Sequence, residues 1–245
     1  QAYRIAEHPS VRLPIMVCQD GFITSHAVQN IELLEDDKVK NFVGQYEPEH
    51  YMLKKGEPMA VGAYGTPAFY MEAKKAQLTA LQNAKQVTLD VAKEFAAISG
   101  REYGLFEEYK TKDADFIMVI IGSAAGTAKD AVDALREKGV KAGVLKIRLF
   151  RPFPAEEIAA AIKNAKVVAC MDRTESFNGH NGPLGADVRT ALFDVEKAPK
   201  VLNYVYGLGG RDVTVESLTS VFEDMQTVAE TGELGETYRY LSIRE

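Results

Sequence analysis

From residue 115 onward the hydrophobic positions alternate between two patterns. Phe116 to Ile121 is a short apolar run rich in β-branched residues, the length and composition of a buried strand. Gly-Ser-Ala-Ala-Gly (122–126) then turns into a segment where Ala128, Val132 and Leu135 share one helix face at spacings of four and three. Gly139 ends that helix, where a left-handed cap needs no side chain. Val144 to Phe150 reads as the next strand, stopped by Arg151-Pro152-Phe153-Pro154 because proline cannot donate to a ladder. The alternation continues with a helix over 155–163, a strand over 167–171, a helix over 186–193, a strand over 201–206 and a helix over 215–229 capped by Thr214. Strands joined by helices lie parallel. Residues 115–230 therefore predict an α/β domain, a parallel sheet with helices on both faces. The tail from Tyr238 to Ile243 is too apolar for a free end and is expected to dock on its own domain or a neighbour.

The pattern before residue 113 is different. Ala2, Ile5 and Ala6 share a helix face with nothing ahead of them to cap it, so the chain is expected to begin inside a helix, with the rest of a domain upstream. Leu13 to Cys18 (LPIMVC) is expected as a buried parallel strand, the last of another α/β domain. Asp36 to Gly44 suits a short helix, and Tyr46 to Pro67, punctuated by glycine and proline, suits a long loop or linker. Ala68 to Ile98 predicts one helix of roughly 45 Å, long enough to connect domains or pack against another subunit. Glu102 to Lys112 reads as a charged connector. The domain reading is 1–45 as the end of a first domain, 46–112 as linker loop and connecting helix, and 113–245 as a second domain.

Composition narrows the function classes. The chain has 245 residues, 46% hydrophobic, with a net charge of −6. That balance argues against nucleic acid or an anionic membrane as partner. Cys18 and Cys170 both lie in apolar runs and read as buried thiols in a reducing compartment. Two cysteines cannot supply the four ligands of an iron–sulfur cluster. No apolar run reaches the length of a membrane span and no signal peptide is visible, which predicts a cytoplasmic protein.

Candidate chemistry gathers at predicted strand ends, where open α/β sheets bind ligands. Gln19 to His26 follows the first apolar run and offers Asp20, Thr24, Ser25 and His26; the plainer reading is an Asp20-Gly21 turn and a surface histidine. Asp172 to Gly185 and Gly207 to Asp212 are glycine-bearing loops after two later strands. The loops bearing Gly179, Gly182, Gly209 and Gly210 suit close subunit contact, and Arg151 and Arg211 suit pairing with acids on a partner or with a ligand phosphate. For each arginine the plainer reading is an ion pair within its own domain. Neither GxGxxG nor a P-loop is present.

Four stretches, LPIMVCQDGFITSHAVQNIELL, GSAAGTAKDAVDALREKGVKAGVLKIRLFRPFP, MDRTESF with GPLGADVRTALF, and YVYGLGGRDVT, closely resemble the α subunit of the 2-oxoacid:ferredoxin oxidoreductases, of which pyruvate:ferredoxin oxidoreductase is the best-known member. The resemblance runs in order over essentially the whole chain. It implies that residues 1–45 end the pyrimidine-binding domain of a thiamine-diphosphate enzyme and that residues from 113 form a transketolase C-terminal-like domain. It implies oxidative cleavage of a 2-oxoacid, pyruvate first, with electrons passing to ferredoxin and coenzyme A taking an acyl group where one remains. The family's catalytic and substrate-carboxylate residues would lie upstream of Gln1 and map to no position here. Thiamine diphosphate with its Mg is implied to be shared with a partner subunit, [4Fe-4S] clusters to sit on partner subunits, and this chain alone to bind neither. Asp20, Gly21 and Phe22 with Ser25 and His26 are then the part nearest the active site, expected there by proximity, and Arg151 and Arg211 become candidates for a coenzyme A phosphate.

Two other readings stand beside this one. The first is an assembly module of a multisubunit complex with no chemistry of its own. The second is a nicotinamide-linked enzyme using Gly122 to Gly126; its glycine spacing is wrong, and Glu137 falls within the helix instead of after the second strand.

Overall fold

A computed structural model describes residues 1–244. The chain divides into two compact units, and the division does not follow sequence order: residues 1–18 and 28–104 form the first, and residues 19–27 join residues from Leu105 onward in the second.

The first unit holds α1 (Ala2–Ala6), α3 (Asp36–Val43) and α4 (Tyr70–Ser99); α2 (Ile23–His26) belongs to the second. Its core is small. Ile5 and Val11 pack with Ala84, Val87 and Val91 of α4, flanked by Leu13 and Phe42. Arg4 pairs with Glu94, and Asn83 Nδ2 donates to the Ser10 carbonyl at 3.1 Å. Gly100 closes α4 in the left-handed conformation.

LPIMVC is not a strand. Residues 14–18 are exposed, Met16 at 86% and Val17 at 80%, and Cys18 is exposed instead of buried. A continuous apolar run becomes a buried strand only where neighbouring strands receive it on both sides, and every ladder among the described residues lies in the second unit.

The second unit carries the sheet. Its strands are β1 (Phe106–Tyr109), β2 (Phe116–Ile121), β3 (Ala142–Ile147), β4 (Val167–Asp172), β5 (Lys200–Val205) and β6 (Tyr238–Tyr240), and its longer helices are α5 (Ala124–Glu137), α6 (Ala155–Ile162), α7 (Pro183–Leu192) and α8 (Val215–Thr231). The spatial order is β1-β3-β2-β4-β5-β6, all parallel except β1, which runs antiparallel to β3. The side-chain period of two sorts the strands onto two cores. Met118, Ile120, Ala169 and Met171 pack with α5 and α8, while Ile117, Val119, Val168 and Cys170 pack with α6 and α7. This is the expected α/β architecture with helices on both faces.

One edge of the sheet differs from expectation, and the other meets it. The charged connector contains β1, whose outer position tolerates Glu107 and Glu108 because an edge strand keeps one side in water. Glu107 pairs with Lys129 and Lys146, and the Lys129 hydrogen bond holds its carboxyl below the usual range. The apolar tail docks as β6 beside β5.

Candidate functional site

The parallel strand order reverses at β2: β3 lies on one side of it and β4 on the other. Ligands of open α/β sheets bind at such a switch point, beyond the carboxyl ends of the two diverging strands. Here those ends are Gly122-Ser123 and Arg173, and the crevice is occupied by the chain itself. The segment 19–27 inserts the Asp20 carboxylate, which accepts a hydrogen bond from the Ser123 amide at the start of α5 and lies 3.6 Å from Arg173 Nη1. A helix N-terminus receives a carboxylate as it would a phosphate, through its unpaired amides and dipole. The fit is close: a Cβ on Gly122, whose φ is +85°, would lie 2.9 Å from Asp20 Oδ1. Arg173 is braced in turn by β5, its Nε donating to the Gly207 carbonyl at 3.3 Å. Gly122 to Gly126 thus holds an acidic side chain of its own chain where a nicotinamide enzyme would hold pyrophosphate.

Beyond Asp20 the segment makes a tight turn. Ile23 N donates to the Gly21 carbonyl at 2.9 Å across Phe22, whose φ of 66° and ψ of −62° define a γ-turn of the rarer, positive-φ kind. Ser25 Oγ accepts from the Phe22 amide at 2.8 Å and lies 2.7 Å from His26 Nδ1, and the Phe22 and His26 rings stack with centroids 5.2 Å apart. Phe22, Ser25 and His26 are exposed.

Below this surface lies a buried polar network. Asp172, at the end of β4, accepts from Leu184 N at 2.8 Å, Gly185 N at 2.9 Å and Asn203 Nδ2 at 2.8 Å. Asn203 on β5 accepts from Gly182 N at 2.6 Å and donates to the Cys170 carbonyl at 3.0 Å. These contacts start α7 at Pro183, three residues before the apolar pattern does, with proline at a position where a missing N–H costs nothing. Burial pushes the Cys170 thiol up, away from thiolate chemistry.

Tyr206 is buried next to the same charges. Burial raises its pKa to about 12, opposed by Arg173 and reinforced by Asp20 and Asp172. An unfolded tyrosine ionises near 10, so the folded state keeps its proton longer. That stability is full below about pH 10 and is lost as pH rises through about 12. Urea unfolding at pH 9, 10.5 and 11.5 should show wild type losing about 2 kcal/mol more over this window than Tyr206→Phe; equal losses would deny the linkage.

The other expected residues lie elsewhere on this unit. Arg151 pairs with Asp187 at 2.8 Å and stacks over the Phe150 ring. Arg211 donates to the Ser242 carbonyl. Gly182 lacks a side chain for an internal reason, since a Cβ there would run into Asp172 Cγ, whereas Gly179, Gly209 and Gly210 have positive φ and open space. Sequence reasoning passes over Arg173, Ser123 and Asn203; the one signal available is an Asp-Arg pair at a strand's carboxyl end. A cavity of about 460 Å³ between Phe116, Lys141 and Lys166 lies at the opposite, amino end of the sheet, away from this geometry.

Comparison with known proteins gives two family matches in chain order. Residues 1–93 match the thiamine-diphosphate-binding domain of pyruvate flavodoxin/ferredoxin oxidoreductase, and residues 114–218 match pyruvate:ferredoxin oxidoreductase core domain II. The chain is 43% identical over 245 residues to pyruvate synthase subunit PorA of Thermotoga maritima, covering all of this chain and 61% of that one. It is 37% identical over 244 residues to ketoisovalerate oxidoreductase subunit VorA of Pyrococcus horikoshii, covering 99% and 61%. Among solved structures, 2-oxoglutarate:ferredoxin oxidoreductase from Magnetococcus marinus matches with a TM-score of 0.42 and 16% identity over 65% of this chain and 23% of its own. The chain therefore spans about three-fifths of the length of these curated relatives.

Proposed function

Because the chain belongs to the 2-oxoacid:ferredoxin oxidoreductase α-subunit family, we propose that it forms part of a complex that oxidatively decarboxylates a 2-oxoacid, pyruvate foremost, and delivers the electrons to ferredoxin. The observation that carries this reading is the 43% identity to a pyruvate synthase subunit along the whole chain. Coenzyme A is proposed as acyl acceptor, and the cytoplasm as the site of action. No helix among the described residues is long and apolar enough to cross a membrane.

The residues present do not fit the metal end of thiamine diphosphate. Among the described residues no three His, Cys, Asp or Glu side chains gather as a metal-ligand set, and two cysteines fall short of the four thiolates of a [4Fe-4S] cluster. We propose that magnesium, diphosphate and clusters are held by partner subunits. This chain's share is to present the Asp20–His26 segment to the reaction and to hold subunits together through exposed glycine loops.

A reading as assembly module alone draws support from the first unit, where the apolar side chains of Leu33, Leu53 and Tyr64 are each more than 80% exposed. One experiment separates the two. The native complex containing this chain is supplied with pyruvate, 2-oxoglutarate and branched 2-oxoacids in turn, with and without coenzyme A, and viologen reduction is followed. Reduction with one substrate, fastest with pyruvate, is the expected result. No reduction by an intact, cluster-loaded complex across the panel would sink the oxidoreductase reading and leave assembly.

A further inference from the structure

We propose that Asp20 and Arg173 are positioning residues of the reaction, a clamp that fastens the strained Phe22 turn and its Ser25–His26 pair onto the end of the parallel sheet. The inference rests on the oxidoreductase reading and goes beyond it by assigning roles to two side chains outside the chemistry itself.

Three observations converge. The first is topological. Nine residues, 19–27, leave the unit that contains both their flanks and join the other. Something must hold them there, and the apolar side chains do not: Phe22 is 75% and Ile23 57% exposed. The polar anchor is Asp20, whose side chain is only 17% exposed. A carboxylate taken that far from water requires partners, and it has two, the Ser123 amide at the end of β2 and Arg173 at the end of β4.

The second is strain. A phenylalanine at φ 66° lies where a side chain clashes with its own backbone. Such conformations cost of order 1–3 kcal/mol and persist when the surroundings over-determine them. Here the Asp20 anchor fixes the turn on one side, and the Ser25 hydroxyl and the stacked His26 ring fix it on the other.

The third is the steric fit. Gly122 leaves room for the Asp20 carboxylate and no more, and Arg173 lies against Gly207, where a Cβ would come within 3.0 Å of its Nε. Backbone at three strand ends, β2, β4 and β5, is thereby shaped around one acid and one base, with the exposed Phe22, Ser25 and His26 as what the arrangement presents. A surface turn with no task needs none of this.

The test uses the native complex with Asp20→Ala, Asp20→Asn, Arg173→Ala, Gly122→Ala and the Asp20→Ala/Arg173→Ala double variant. Hydrogen exchange is read at the amides of Phe22, Ile23, His26 and Ala27, and viologen reduction is resolved into kcat and KM. Loss of the clamp should speed exchange at those amides at least tenfold while β2 and β4 stay protected. It should lower kcat tenfold or more with KM within twofold, the signature of a group acting through geometry. The double variant should be no worse than the weaker single, because the two residues act as one unit. Asp20→Asn, which keeps an oxygen for the Ser123 amide, should recover part of both readouts, and Gly122→Ala should reproduce the loss without touching either partner. Unchanged exchange in Asp20→Ala and Gly122→Ala overturns the clamp. Faster exchange with unchanged kcat overturns the positioning role alone. A wild-type complex inactive with every 2-oxoacid sinks the functional reading beneath it.

Discussion

Asp172→Ala should cost the second unit roughly 3–5 kcal/mol, at the upper end of single-residue effects. Asp172 is 4% exposed and accepts three hydrogen bonds, from two amides in the first turn of α7 and from the Asn203 side chain. Charge-assisted bonds of this kind exceed neutral ones, and the α7 dipole adds to them. Alanine strands all three donors in the interior, and each unsatisfied buried group costs about 1–3 kcal/mol. The Asn203 amide then has only the Cys170 carbonyl to donate to. Asp172→Asn keeps the shape but turns an NH₂ toward backbone donors, so its cost should fall between wild type and alanine. Urea denaturation of the full chain, followed at the tyrosines, measures both. A loss under about 1 kcal/mol for Asp172→Ala would mean that water replaces the carboxylate and that the network does not hold α7.

The contrast between that network and the elements around it explains what is legible from sequence. β2, α5, α6 and β4 are readable because their evidence is local: an apolar run of strand length, a helix face at spacings of three and four, a glycine stop. β3 is readable as a strand, but it runs from Ala142 to Ile147 and ends before the proline stop instead of at it. LPIMVC shows the limit of the same reasoning. Its apolar run is real, but a run encodes burial only if strands exist to receive it, and Met16 and Val17 lie in the open. β1 is hidden for the opposite reason, since Glu107 and Glu108 mask a strand that an edge position permits. Asp20 draws notice by its place after an apolar run, but its partners, Ser123 and Arg173, are more than 100 residues away in sequence. No periodicity reports a contact of that range. Nor does any pattern reveal that Gly182 is small because Asp172 stands against it.

Glycine-to-alanine substitution should change sign between two helices of the same unit. Gly126 lies in α5, exposed, with open space where a methyl group would stand. Gly126 is in the first turn of α5, and alanine there should stabilise by up to about 0.5–1 kcal/mol, because glycine loses more backbone entropy on entering a helix. Gly185 lies in the first turn of α7, where the same propensity applies. A Cβ at Gly185, however, would sit 2.5 Å from Asn203 Cγ, an atom fixed in the fully buried network. Helix and strand must then part, and with them go the bonds from Leu184 and Gly185 to Asp172 and from Gly182 to Asn203. Overpacking alone costs about 1–3 kcal/mol, and the broken polar contacts bring the expected loss to at least about 3 kcal/mol. Gly182→Ala, aimed at Asp172 itself, should behave like Gly185→Ala. Thermal unfolding of the three variants side by side provides the check: Gly126→Ala above wild type, the other two well below it. If Gly185→Ala instead rose with Gly126→Ala, helix propensity would outweigh packing at the α7 start, and the close approach of α7 to β5 through Asn203 would not be a constraint on the fold.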